Sequence, residues 1–105
     1  MDRLPTLLAM LRENPTDAFV QYALAIEYKN TGDITQSRVY FERLVTLFAD
    51  YIPTYYQYAE LEAEEGNITA AIALYEMGIE KATAANDSKT VRELKSALEL
   101  VNTES

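Results

Sequence analysis

The sequence predicts an all-α protein of about six antiparallel helices, and three observations carry that expectation. Gly32-Asp33-Ile34-Thr35 returns as Gly66-Asn67-Ile68-Thr69, 34 residues later. Apolar residues on both sides of each tetrapeptide recur every three to four positions, the spacing of one helical face. Glycine and proline number three each among 105 residues, too few for the closely spaced turns of a strand-rich fold. Apolar residues make up 49% of the chain, enough to fill a core, and the length suits one domain over residues 1–105.

The first element is a helix over residues 3–15. Shifted by the repeat length, Leu7 aligns with Phe41, Met10 with Leu44 and Pro15 with Ala49. The segment therefore reads as the second half of a unit whose first half is absent. Residues 18–51 form the first full unit. Phe19, Tyr22, Ala23 and Ile26 carry helical spacing as far as Gly32, which can take the left-handed conformation that ends a helix. Asp33 offers an N-cap oxygen to the next helix, which runs to about Phe48 with Val39, Phe41, Leu44, Val45 and Phe48 as its apolar stripe.

Residues 52–85 repeat the arrangement. Tyr22 aligns with Tyr56, Ala25 with Ala59, Ser37 with Ala71, Phe41 with Tyr75, Glu42 with Glu76 and Val45 with Ile79. Pro53 suits a first helical turn, where its missing N–H costs nothing. Gly66 breaks that helix, Asn67 caps the next, and Ile72, Tyr75, Ile79 and Ala82 face inward. Gly78 inside a helix costs about 1 kcal/mol relative to alanine, so a close approach of another helix is its expected purpose. The last element, over residues 87–102, follows the cap-rich Asn86-Asp87-Ser88. Val91, Leu94, Leu98 and Val101 make it apolar on one face, with Lys89, Arg92, Lys95 and Glu99 on the other. Such a helix covers the end of a repeat array and keeps its outer side polar; residues from Thr103 on are expected to fray.

A 34-residue helix–turn–helix with a small residue four positions before an aromatic, as in Ser37…Phe41 and Ala71…Tyr75, resembles the tetratricopeptide repeat. Leu24-Ala25…Tyr28 matches the first-helix pattern of that family. Gln21 stands where an aromatic is usual, whereas Tyr55 fills that place in the second unit. Tyr58-Ala59 replaces the Leu-small pair, and Glu62 stands where tyrosine is expected, which suggests a more open stretch. The resemblance implies a right-handed superhelical stack of helix pairs, with Tyr28, Tyr55, Tyr58 and Tyr75 on core places. Tyr40 and Tyr51 have no assigned place; Phe48 and Tyr51 flank the turn between units and suggest a convex patch.

The same resemblance implies a protein-binding groove lined by the first helix of each unit. By position that groove holds Phe19, Tyr22, Ile26, Lys29 and Asn30, then Pro53, Tyr56, Glu60, Ala63 and Glu64. Tyr22 and Tyr56 are equivalent and lie off the family's core places. Tyrosine combines contact area with a hydrogen-bonding tip, which suits a binding surface; packing against each other or against the first helix is the alternative. The lysine, arginine and asparagine set with which some members grip a terminal carboxylate is not recognisable. Glu60 and Glu64 share a helical face and suit a basic partner, or else form a solvated surface.

Chemistry other than binding has little to stand on. The chain has no cysteine and no histidine, so disulfides, zinc–thiolate sites and Ser-His or Cys-His nucleophile pairs are excluded. No cofactor or metal motif is present, and the expectation is a protein that is not an enzyme. A net charge of −8 disfavours nucleic acid and anionic membranes as partners and favours a basic protein, although acidity also serves solubility. No apolar run approaches a membrane span and no signal peptide is apparent, which makes the cytoplasm the default location. The expected function is to bind a peptide or helix of another protein in the groove. The alternative is a structural or self-assembly role, in which a second copy covers the exposed end helices and forms a homodimer.

Overall fold

The computed structural model describes residues 3–104; Met1, Asp2 and Ser105, the ends of the expected domain, lie outside the described residues. The described chain is all helix and loop: α1 (Leu4–Glu13), α2 (Ala18–Thr31), α3 (Ile34–Leu47), α4 (Pro53–Glu64), α5 (Ile68–Ala84) and α6 (Ser88–Glu104). This is an all-α helical repeat fold. The chain divides into two compact units, Met1–Tyr51 and Ile52–Ser105, with neighbouring helices packed on each other within each.

One turn design builds three of the helix pairs. Gly32 leaves α2 in the left-handed region at φ 87°, and its N–H bonds the Lys29 carbonyl at 3.2 Å. The next N–H, that of Asp33, reaches back to the Tyr28 carbonyl at 2.9 Å. These bonds satisfy carbonyls that the helix end would otherwise leave open. Gly66, at φ 84°, closes α4 the same way, with Asn67 N–H on the Glu62 carbonyl at 2.8 Å. At the end of α5 the left-handed residue is Asn86, φ 59°, and Asp87 N–H bonds the Ala82 carbonyl at 2.9 Å. Asparagine is the residue that tolerates this conformation best after glycine.

The residue after each turn begins the next helix, though not always by capping it. Asp33 Oδ1 accepts from Gln36 N–H at 3.2 Å, and Asp87 Oδ1 accepts from Thr90 N–H at 3.2 Å. Asp87 also accepts from the Thr90 hydroxyl at 2.6 Å, and these bonds hold its carboxyl below the usual range. Asn67 occupies the corresponding place before α5, but its side chain makes no capping bond, contrary to the expectation. Asp17 caps α2 through Phe19 N–H at 3.0 Å, and Pro53 stands in the first turn of α4 as expected.

In the first unit Val20, Leu24, Ala25, Tyr40, Phe41 and Leu44 are buried. The Ser37 hydroxyl donates to the Ala25 carbonyl at 2.8 Å, both residues being fully enclosed, so α2 and α3 touch at their smallest side chains. Tyr28 and Tyr40 stack at 5.8 Å with their planes 9° apart, and the Arg43 guanidinium lies 5.4 Å from the Tyr40 ring centre. Tyr40, unassigned from sequence, is thus the buried member, and Tyr28 is only half-buried. Val39, expected in the inward stripe, is exposed because Ser37, Tyr40, Phe41 and Leu44 define the buried face and Val39 lies off it. Gln21 takes the family's aromatic place as a buried amide: its Nε2 donates to the Pro15 carbonyl at 3.0 Å, tying α2 to the segment before it.

In the second unit the core is Tyr55, Tyr58, Ala59 and Leu61 of α4, Ala71, Leu74, Tyr75 and Ala82 of α5, and Leu94, Ala97 and Val101 of α6. Ile72 and Ile79 are half-buried rather than central. Glu62, expected in an open stretch, is only 7% exposed. The turn at Gly66 repeats the backbone geometry of the turn at Gly32, and Glu62 stands on the inward side of α4 with Tyr55, Tyr58, Ala59 and Leu61. Thr103 is not frayed: it lies within α6, and its hydroxyl donates to the Glu99 carbonyl at 2.8 Å.

Of the three glycines, only Gly78 lies against a neighbouring helix. A Cβ there would stand 2.6 Å from Tyr55 Cβ, 3.1 Å from Leu94 Cδ1 and 3.3 Å from Tyr55 Cγ. Tyr55 Cβ moves only with the backbone of α4, so the neighbour cannot yield by a rotamer change. Gly66 has nothing within 4 Å of its would-be Cβ, so only its positive φ constrains it. Gly66→Ala is therefore expected to lose about 1–2 kcal/mol, the backbone cost alone. Gly78→Ala gains about 1 kcal/mol of helix propensity but loses about 1–3 kcal/mol through overpacking, so it is expected to leave the fold about 0–2 kcal/mol less stable. Urea denaturation midpoints test this; a stabilised Gly78→Ala would show that α4 and α5 are not held this close.

Candidate functional site

The residues expected to line a groove fall in the two units separately. In the first, Phe19, Tyr22, Ile26 and Asn30 follow one another along α2 at three- and four-residue steps, and Lys29 adjoins them. Phe19 is 59% exposed. Tyr22, Ile26 and Lys29 are half-buried and Asn30 is exposed.

Tyr22 does not stand alone. Its ring tilts 57° against that of Tyr51, with centroids 5.6 Å apart. Burial, and then Tyr51, push the Tyr22 phenol above its ordinary range; burial, and then the Asp17 carboxylate, do the same to Tyr51. Tyr51, expected on a convex patch with Phe48, therefore belongs with the α2 residues. The turn after α3 returns the chain to α2, a long-range approach that no local sequence pattern encodes.

In the second unit Tyr56 and Glu60 of α4 line an open cavity of about 510 Å³. Tyr75 of α5 and Arg92, Glu93, Ser96, Ala97, Leu100 and Val101 of α6 complete its wall. Tyr56 meets Tyr75 edge to face, centroids 6.1 Å apart and planes at 77°. Pro53 and Glu64 are exposed and Ala63 is half-buried, and none of the three lines this cavity. The contribution of α6 was missed because that helix reads as a cap. The signal for it is Arg92, Ser96 and Leu100, spaced by four, which form a second stripe beside the buried Leu94, Ala97 and Val101.

Both tyrosines expected to bind are thus backed by a second tyrosine within their own unit, Tyr22 by Tyr51 and Tyr56 by Tyr75. Such pairs are rigid and amphipathic, so a partner that covers them loses little side-chain entropy. Among the described residues no group of three or more acidic, histidine or cysteine side chains is placed to hold a metal ion. No described helix is long and apolar enough to cross a membrane.

Two solved structures resemble the chain over most of its length. One is the solution NMR structure of a tetratricopeptide repeat domain protein from Salinibacter ruber, 32% identical, with a TM-score of 0.84 over 88% of this chain and 93% of that one. The other is a crystal structure of a tetratricopeptide repeat domain protein from the same organism, 31% identical, with a TM-score of 0.80 over 85% of this chain and 100% of that one. No protein-family model and no curated protein sequence matches the chain.

Tyr75 supplies a test of the geometry in the second unit. Its phenol is pushed up to about 12, by burial first and then by Tyr56, Glu60 and Glu64. The folded state resists ionising it, so its contribution to stability is intact below the ordinary value of 10.0 and is lost as pH rises through about 12. Tyr75→Phe is expected to flatten the fall of melting temperature between pH 10 and 12 and to remove a step near pH 12 from a phenolate absorbance titration. An equally steep fall in the variant would contradict the placement of Tyr75 among these charges.

Proposed function

The chain belongs to the tetratricopeptide-repeat family, and we propose that it binds a peptide or helix of a partner protein along the first helices of its repeats. The family's fold is in general that of protein–protein interaction modules, typically non-catalytic. In this reading residues 18–51 and 52–85 are the two repeats, 3–15 the second half of a preceding one and 87–102 the cap. The observation that supports it most is the pair of equivalent tyrosines, Tyr22 and Tyr56, each accessible and each seated on a second tyrosine. Phe19 adds an exposed aromatic beside the first. The net charge of −8 favours a basic partner, and the reading takes binding, without catalysis and in the cytoplasm, as the whole of the activity.

A second reading, self-assembly, draws on α1. None of its residues is buried: Leu4, Leu7, Leu8 and Leu11 are half-covered and Met10 is exposed. A second copy covering that face would enclose it.

One set of samples separates the two. Affinity capture followed by mass spectrometry is expected to recover partner proteins with the native chain and roughly tenfold less with Tyr22→Ala/Tyr56→Ala, helicity being unchanged. Equal recovery sinks the groove assignment. Light scattering of the native chain over a wide concentration range is expected to give the mass of one chain throughout; a concentration-dependent rise to twice that mass would favour self-assembly instead.

A further inference from the structure

The cavity of the second unit has a chemistry narrower than general adhesion. At one corner Tyr56 and Tyr75 stand edge to face beside Glu60. Tyr56 lies at the surface, 36% exposed, so a partner can reach this corner. The charges of Glu60 and Glu64 both act on the Tyr75 phenol and oppose its ionisation, so the potential around that ring is negative. Across the cavity α6 contributes Arg92 and Glu93, and Glu93 is paired with Lys89 at 4.0 Å, so the negative charge at this site is concentrated on the α4 side, at Glu60 and Glu64. The remaining wall is apolar, formed by Ala97, Val101 and Leu100, and Leu100 is 65% exposed.

We propose that this cavity takes a lysine or arginine side chain of the partner. The cationic head lies beside Glu60 and the Tyr56–Tyr75 pair, and the methylene stem runs along Leu100 and Ala97. The inference rests on the protein-binding reading above and deepens it.

The alternatives fit worse. A carboxylate from the partner would find Arg92 on the α6 side but would be repelled from the tyrosine corner by Glu60 and the field of Glu64. An uncharged apolar side chain would strip water from Glu60 without replacing it by an opposite charge. A cation gains from the carboxylates and from the negative faces of the tyrosine rings. Its aliphatic stem uses the apolar wall, as long basic side chains do wherever an apolar surface ends in charge. The volume of about 510 Å³ admits such a side chain together with part of its neighbour. The surplus of negative charge over the whole chain draws a basic segment in from a distance.

The probes are three end-blocked hexapeptides that share the same apolar residues and carry lysine, arginine or glutamate at one central position. Each is titrated into the isotope-labelled full chain and followed by NMR. The lysine and arginine peptides are expected to move the backbone signals of Tyr56, Ser96 and Leu100 and to bind less tightly as salt rises. Glu60→Gln or Glu93→Gln is expected to weaken that binding by roughly two- to fivefold. Glu60→Lys is expected to transfer the preference to the glutamate peptide, which a merely structural role for Glu60 would not do. The proposal is overturned if the glutamate peptide moves the same signals equally in the native chain. It is also overturned if no peptide moves them at millimolar concentration, or if both glutamine variants bind unchanged. Should the basic peptides behave as expected while partner capture survives Tyr22→Ala, which leaves the cavity intact, the cavity stands and the groove reading fails. Should capture depend on the tyrosines while the cavity ignores charge, the reverse holds.

Discussion

At Gly78 the backbone of α5 lies so close to α4 that a single added carbon would sit 2.6 Å from Tyr55 Cβ. Leu94 of α6 closes over the same point, so three helices meet where the chain has no side chain at all. Here α5 packs on α4 on one side and on α6 on the other. The open cavity borders this contact, since Tyr56 follows Tyr55 directly and Tyr75 precedes Gly78 by one turn. In the first unit Leu44 stands at the place of Gly78, and the close approach of α2 and α3 lies elsewhere along the pair. There Ser37 meets Ala25 and adds a hydrogen bond to the close approach, whereas Ala71 and Ala59 occupy the equivalent places in the second unit. Small residues at fixed places set the spacing of each helix pair, and the aromatics fill what that spacing leaves.

Much of this arrangement could be read from the residues, because the repeat is written twice. Gly32 and Gly66 announce their turns, Asp33 and Pro53 announce helix starts, and Gly78 in mid-helix announces a near neighbour. Comparison between units locates what either unit alone would leave ambiguous. The reading weakened where a residue's role is set by something distant in sequence. Tyr51 meets Tyr22 across a chain reversal, and Tyr40 rather than Tyr28 is the buried ring of their stack. Val39 is apolar but lies off the inward face, and β-branched apolar character alone does not reveal that. Glu62 looked like a gap in the pattern, yet it is buried, and its carbonyl accepts from Asn67 N–H in the Gly66 turn. Of the candidate site, the α4 half was visible from the repeat register. The α6 half was hidden behind its cap-like composition, although Arg92, Ser96 and Leu100 carried the spacing.

The two tyrosine pairs connect the packing to the proposed binding. Each pair joins a first-helix tyrosine to one supplied by a later segment of the same unit, so the folded unit orders its own contact surface before any partner arrives. That order has a visible cost: Tyr22, Tyr51 and Tyr75 all resist ionisation, chiefly because burial removes the water a phenolate needs. Pre-ordering of this kind favours affinity without large contact area. It also separates the first-helix surfaces from Val39 and Met77, which are apolar and exposed on the second helices without any ring behind them in the aromatic pairs described.

Site-specific photo-crosslinking compares those surfaces directly. A photoreactive phenylalanine analogue placed in turn at Tyr22, Tyr56, Val39 and Met77 would report which face touches the partner in the living cell. The account predicts adducts of the same partner from positions 22 and 56 and none from positions 39 and 77. Adducts from 39 and 77 with none from 22 and 56 would contradict it, and would move the binding surface to the second helices.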